Sequence, residues 1–498
     1  MKKTVDFTCF SSIDLSEPNL LGKTAKSEVK LHKINGDVNK FTLIIKYENN
    51  IQENHLQILR MAFIMPLLNY GLFSKKFNLD FALTNADVSL LNELNKVFSR
   101  DIFINKILQR RANYILPKFI LDEKNIKPED ANHKAKIKCT RTTQDEKISK
   151  KMDVNKCGVL SSGGKESLLT YGMLREIGCT VFPLYVNESG GHWRTALSAY
   201  NFHKEIDPKT QRIWTNVDRF YNFMLDNLKF IGKDHRKVSA DTYPIRLCIF
   251  PYYVFALLPI FVDNDIGNLL IGSEFDDLRS NPKYCGIKHY YGVYDQHQDY
   301  DIVMNKWYSK RIPGMIQWSA VRNISGLIVE RTLVRRYPNL AKYQRSCHSC
   351  HFEKNAIIPC GECSKCMGVL LFLLANNVDP KIMNFKEEDI QSFTERVKFS
   401  NLRLDQDEKD QSFYILGRKD IFPTIKPVDH VEKIHINHAT CEPQYVPEQF
   451  RDGLLKIIEN YTTGYCMLKN GKWLPIEERE IDVQVANCLT IRKASHVP

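Results

Sequence analysis

The stretch Ser161-Ser162-Gly163-Gly164-Lys165-Glu166-Ser167 gathers two glycines, hydroxyls, a lysine and a carboxylate in seven residues. Glycine lets a backbone approach an anion without Cβ interference. Where such a run opens a helix, unpaired N–H groups and the positive dipole end favour phosphate. Hydroxyls from Ser161, Ser162 and Ser167 and the Lys165 ammonium would add donors. The run is neither GxxxxGK[ST], since Glu166 follows Gly164-Lys165, nor GxGxxG. A carboxylate at 166 can ligate magnesium.

The second chemical stretch is CHSCHFEKNAIIPCGECSKC, residues 347–366. Cys360, Cys363 and Cys366 form two overlapping CxxC steps, and Cys347 or Cys350 supplies a fourth thiolate. Four soft ligands suit closed tetrahedral zinc. An iron–sulfur cluster is the chemical alternative. His348 and His351 are further candidate ligands. Five of the fourteen cysteines lie here, which points to metal rather than to a disulfide framework.

The elements around these stretches predict an α/β sheet. KCGVLS (156–161) reads as a strand running into the glycine pair, and Leu168–Ile177 as the following helix, stopped by Gly178. CTVFPLYV (179–186), QRIWTNV (211–217), GNLLIGS (267–273) and MIQWSAV (315–321) are further strands. Strand–helix alternation predicts a parallel sheet, whose ligands bind at the carboxyl strand ends. Asn187-Glu188-Ser189-Gly190-Gly191-His192 and Gly272-Ser273-Glu274-Phe275-Asp276-Asp277 fall at such ends, which makes Asn187 and Gly272 candidate nucleotide contacts.

Residues 1–121 read as a smaller α+β module. It has strands at 5–10, 28–34 and 39–48 and helices at 55–73 and 89–115. Residues 122–155 are polar and charge-dense and read as a linker or exposed excursion. The catalytic region is expected over 156–380. MGVLLFLLANN (367–377) is an apolar helix after the cysteines, and 381–498 holds no readable motif.

SSGGKES resembles the SGGxDS loop of the PP-loop ATP pyrophosphatase superfamily. Those enzymes cleave ATP between the α and β phosphates and transfer AMP to an oxygen of the substrate. A PP-loop followed by C…CGxCxxC is similar to 7-cyano-7-deazaguanine synthase. Trp318–Leu327, Arg345-Ser346-Cys347 and Pro359–Cys366 with its apolar helix look closer to the UDP-N-acetylmuramoyl-L-alanyl-L-glutamate epimerase family. Gln296-His297-Gln298 and Trp307-Tyr308-Ser309-Lys310 resemble its NHQxSK stretch, split by an insertion. The resemblance covers roughly 156–380. It implies a Rossmann-like PP-loop sheet with a zinc knuckle, and ATP, Mg2+ and structural Zn2+ as cofactors. It also implies catalytic roles for Lys165, Glu166, Arg322, His297 and Lys310. The expected reaction is adenylation of a small-molecule carboxylate, followed by epimerisation of an L-glutamyl-type metabolite. A deazaguanine-type ligase and a tRNA-modifying enzyme are the alternatives.

Composition bounds these readings. The chain has 498 residues, is 43% hydrophobic and 26% charged, and carries net charge +12. Those values exclude fibrous and wholly disordered classes. Residues 1–150 hold 25 Lys+Arg against 17 Asp+Glu, without RGG repeats or a long basic arm, so nucleic acid ranks behind a small metabolite. The longest apolar run, Cys248–Val262, is 15 residues and falls short of the roughly 20 that span a bilayer. It predicts a buried helix. The N-terminus lacks a signal-peptide pattern, so a cytoplasmic protein without membrane association is expected. Oligomeric state leaves no sequence signature here.

Overall fold

The computed structural model describes residues 5–110, 113–237, 244–275, 283–354, 356–399, 402, 404–417, 425–436 and 446–477. Its centre is an 11-stranded mixed sheet. The strands are β1 (Phe10–Leu15), β2 (Asn19–Leu21), β3 (Thr24–Lys33), β4 (Val38–Tyr47), β5 (Lys76–Leu79), β6 (Lys136–Cys139), β7 (Asp153–Leu160), β8 (Thr180–Asn187), β9 (Gln211–Thr215), β10 (Ile266–Ile271) and β11 (Ile316–Trp318). Their order is β11-β10-β7-β8-β9-β4-β3-β1-β5-β6, with β2 paired to β3. The five strands from β11 to β9 are parallel throughout.

The N-terminal strands do not form a separate sheet. β4 pairs antiparallel with β9, with Ile45 opposite Thr215, and so joins the first strands to the parallel half. The reason is that β4 alternates: Leu43, Ile45 and Tyr47 are buried while Thr42, Ile44 and Lys46 face out. A half-apolar strand needs a partner on its free edge, and β9 supplies it.

Helices cover both faces. They are α1 (Leu56–Ile64), α2 (Asn85–Ile102), α3 (Lys165–Glu176), α4 (Gly191–Ile206), α5 (Val217–Asp226), α6 (Phe250–Asp263), α7 (Gln298–Arg311), α8 (Gly326–Arg336) and α9 (Ser364–Ala375). Alternate residues of β8 feed two cores: Phe182 and Leu184 join the one that includes α1, α5 and α6, whereas Val181 and Tyr185 join the one that includes α3, α4 and α9. From Phe250 onward the apolar run at 248–262 is α6, largely buried as expected, and its Phe261 ring needs the space left by Gly158, where a Cβ would lie 2.4 Å from the ring. No helix among the described residues is long and apolar enough to cross a membrane.

Three expectations shift. Of the segment 5–10, Phe7–Phe10 is buried, but the chain enters the sheet only at Phe10. Before it, Thr8 donates to Asp6 Oδ1 and the Cys9 amide donates to the Phe73 carbonyl, so the ladder starts late. The helix expected over 89–115 starts at Asn85, where Thr84 and Asp87 form a capping box, and passes into a π-helical turn at Phe103–Leu108. The polar segment 122–155 is not wholly an excursion, because Lys136–Cys139 closes the sheet edge as β6, beside β5. Alternating lysines suit an exposed edge strand, and polarity concealed it.

Candidate functional site

Along the parallel half the chain runs β7, β8, β9 to one side, then returns to β10 and β11 on the other. The direction changes between β7 and β10, and the crevice beyond their carboxyl ends is where ligands bind in such sheets. Two loops meet there: 161–164 after β7 and 272–275 after β10. At Gly272 a Cβ would lie 2.6 Å from Glu166 Cβ and 3.2 Å from the Ser167 nitrogen, so glycine is what allows the contact. Gly163 takes φ 76°, and α3 starts at Lys165 with Gly164 as a cap that offers no side chain. The Ser161 and Ser167 hydroxyls are turned inward. Ser161 Oγ accepts from the Gly163 amide and donates to Ser167 Oγ (3.1 Å), which donates to the Gly164 carbonyl (3.1 Å). Ser162 alone of the three is exposed.

Lys165 lies against Glu166 Oε1 and 2.7 Å from Glu274 Oε2. Burial opposes its ammonium, but Glu166 and then Glu274 outweigh that and hold it well above the usual lysine range. Two further carboxyls stand behind this triad. Glu330 on α8 is fully buried and accepts from Gln344 (2.9 Å); burial pushes it up to about 7. Glu408, on the helix Gln406–Ile415, accepts from the Gly326 amide (2.5 Å); burial and then Glu274 push it up to about 8. The chain beyond 380 thus reaches the crevice. Next to Glu274, the Phe275 ring stacks on His435 at 3.6 Å, and Trp473 meets it edge-on.

The cysteine stretch places the Cys347, Cys360, Cys363 and Cys366 sulfurs within 4.8 Å of one another. The Cys347–Cys363 and Cys360–Cys366 separations are 3.7 and 3.8 Å. A tetrahedron with metal–sulfur bonds of about 2.3 Å has edges of about 3.8 Å, so the four could hold one zinc ion. A cubane cluster would spread its thiolates farther, each onto its own iron. Cys350 is not in the group: its thiol donates to the Cys347 carbonyl at 2.7 Å. His348 and His351 are outside it as well. The Cys360 and Cys366 amides point at sulfur (3.5 and 3.4 Å), which supports thiolate charge.

This knuckle is tied to the crevice. The Arg345 amide donates to the Gly163 carbonyl (3.0 Å), Thr195 Oγ1 donates to the Cys347 carbonyl (3.1 Å), and Arg194 donates to the Cys350 carbonyl (2.8 Å). One knuckle therefore holds both the glycine loop and the start of α4.

Several other candidates are engaged in contacts of their own. Arg322 is spent on a buried pair with Asp301 (2.5 Å) and on the Gln296 carbonyl (2.6 Å). His297 caps α7, where burial holds it down to about 4, and Lys310 is at the opposite end of that helix. Thirteen residues at 1.5 Å rise separate them by about 20 Å. Tyr308 is buried and donates to Gln317 (3.2 Å). Asn187 accepts from the Ser189 amide (2.9 Å) and shapes the turn after β8. Glu188 is buried beside Arg246 (3.0 Å), and burial holds His192 down to about 3. Asp276 and Asp277 lie outside the described residues. Glu330 and Glu408 were not legible in sequence, since only tertiary packing buries them within reach of the Lys165 and Glu274 charges.

No family model, curated protein or solved structure matches this chain.

Proposed function

We propose that the chain is an ATP-dependent enzyme that activates a small-molecule carboxylate by adenylation, with AMP and pyrophosphate as products. One observation carries the reading: a glycine loop and a lysine open a helix at the point where the sheet reverses its order, directly against a second loop that bears Glu274. The donor set fits a nucleotide phosphate with magnesium. The loop approaches without Cβ obstruction, and hard carboxylate oxygens of Glu166 and Glu274 converge on a cation, here the Lys165 ammonium. ATP with magnesium would supply an electrophilic phosphorus and a good leaving group. The chain's own part is positioning: the loop amides orient phosphate oxygens, Lys165 neutralises them, and the aromatic group around Phe275 flanks the loop that bears Glu274. The knuckle would hold zinc in a structural role.

For the step after activation, the resemblance favours epimerisation at Cα. The roughly 20 Å between His297 and Lys310 favours instead a ligase outcome, because no facing pair of bases forms from those two residues. The test incubates the full chain with ATP, magnesium and a carboxylate panel in deuterated water, with total tRNA in parallel. AMP and pyrophosphate with a carboxylate support the proposal, and ADP as product ends it. Deuterium at Cα selects the epimerase, and amide or nitrile without exchange selects the ligase. AMP release that depends on RNA alone would move the acceptor to tRNA.

A further inference from the structure

The Lys165 side chain is 11% exposed, and its ammonium serves two carboxylates at once, Glu166 Oε1 and Glu274 Oε2. The triad carries net charge −1, a poor receptor for polyphosphate beside it. Its geometry is built to hold both arms inward. A Cβ at Gly326 would sit 2.8 Å from Glu274 Oε2, and one at Gly272 would press on Glu166. The surroundings also contain polar atoms that the folded chain leaves unmatched. Glu330 is fully buried with Oε1 lacking any hydrogen-bond partner, and it feels the charges of Lys165, Glu166 and Glu274. The Ser273 hydroxyl, in the loop between Gly272 and Glu274, is buried and equally unmatched.

We infer that the Lys165 ammonium is the resident cation of the Glu166–Glu274 pair, and that a divalent cation displaces it there and frees it for the glycine loop. The release of Lys165 toward phosphate rests on the nucleotide reading above; the cation exchange does not. Hard carboxylate oxygens suit Mg2+ and Mn2+, and the knuckle thiolates do not compete for them. The exchange makes sense of the charge. With a divalent ion on the two carboxylates and the ammonium released, the same groups change from net −1 to net +1. The same groups therefore favour polyphosphate only once the divalent ion is held there.

The probe is Mn2+ alone, titrated into the zinc-loaded full chain without nucleotide and followed by the magnetic resonance signal of the free ion. Lys165→Met removes the competing ammonium and is expected to bind Mn2+ at least tenfold more tightly than wild type. It should also melt lower than wild type without Mn2+ and recover when Mn2+ is added. Lys165→Arg keeps the charge and should show no gain. Glu274→Gln and Glu166→Gln should each weaken Mn2+ binding at least tenfold. If Lys165→Met does not fold, Glu274→Gln decides alone, since the exchange requires it to lose affinity. Unchanged or weaker Mn2+ affinity in Lys165→Met, or undiminished affinity in Glu274→Gln, overturns the inference. Mn2+ exchange as described without AMP formation from ATP would leave this inference standing and remove the nucleotide reading.

Discussion

The main-chain amide of Arg345 donates to the carbonyl of Gly163 across 3.0 Å. Two residues later the chain reaches Cys347, the first of the four converging thiols. The glycine loop is thereby fastened to the knuckle by main-chain atoms, which no side-chain substitution can remove directly. Arg345 itself is buried and donates to the Ile357 and Gln344 carbonyls (2.8 and 2.6 Å), so its backbone cannot drift. A knuckle built this way would act on the loop through shape rather than through chemistry.

One prediction separates ligand from neighbour within the knuckle. Cys350 gives its thiol to a carbonyl, whereas Cys363 faces Cys347. Cys350→Ser should retain one zinc per chain by elemental analysis. Cys363→Ser should lose it, with a stability loss of about 3 kcal/mol or more, roughly a quarter of what a structural zinc contributes. Equal zinc content in both variants would reject this ligand set.

A second prediction concerns the loop contact. Gly272→Ala puts a methyl 2.6 Å from Glu166 Cβ and 3.2 Å from main-chain atoms of α3, so the first turn must move. A displacement near 1 Å at a reacting centre costs on the order of a hundredfold in rate. AMP formation should fall by about that factor, while circular dichroism stays that of wild type. Retained activity would show that the two loops do not share a site.

The loop, the strands that carry it and the cysteines were legible because each is local. A glycine pair after a short apolar run and thiols three residues apart hold their meaning whatever the rest of the chain does. β7, β8, β9 and β10 all appear within a few residues of their expected positions. What sequence could not show depends on distant partners. Nothing in the segment QDEKDQ sets Glu408 apart from its charged neighbours, yet packing alone brings it to the Gly326 amide. Lys138 reads as linker until β5 supplies a neighbour in Asn78.

A third prediction follows from Glu330. Burial raises its carboxyl from the ordinary 4.5 to about 7, so the folded protein holds a proton that the unfolded chain has released. Stability should therefore fall as pH rises from about 4.5 to about 7, by up to roughly 1.4 kcal/mol per pH unit, and level off above. Glu330→Gln cannot ionise. The stability difference between variant and wild type, from urea titrations at pH 5, 6, 7 and 8, should shift in the variant's favour up to pH 7 and then stay constant. A difference independent of pH would mean that the carboxyl is not held neutral.

The last prediction concerns Arg322, whose guanidinium the resemblance places on substrate. In the fold it pairs with Asp301 at 2.5 Å, both side chains less than a tenth exposed, and its other arm takes the Gln296 carbonyl. Gln317 also donates to Asp301 (2.7 Å), so each carboxylate oxygen has a partner and the guanidinium is fixed. Removing the cation leaves Asp301 buried without a counter-charge, which typically costs 3–5 kcal/mol. Arg322→Met should lose about that much in a denaturant titration. Arg322→Met with Asp301→Asn should recover a large part of it, because neither charge is then stranded. A substrate-gripping arginine predicts a different pattern: near-normal stability in Arg322→Met, a raised KM for the acceptor, and no rescue by the second change. The double variant separates the two, since no substrate contact can be restored by deleting a buried carboxylate on α7.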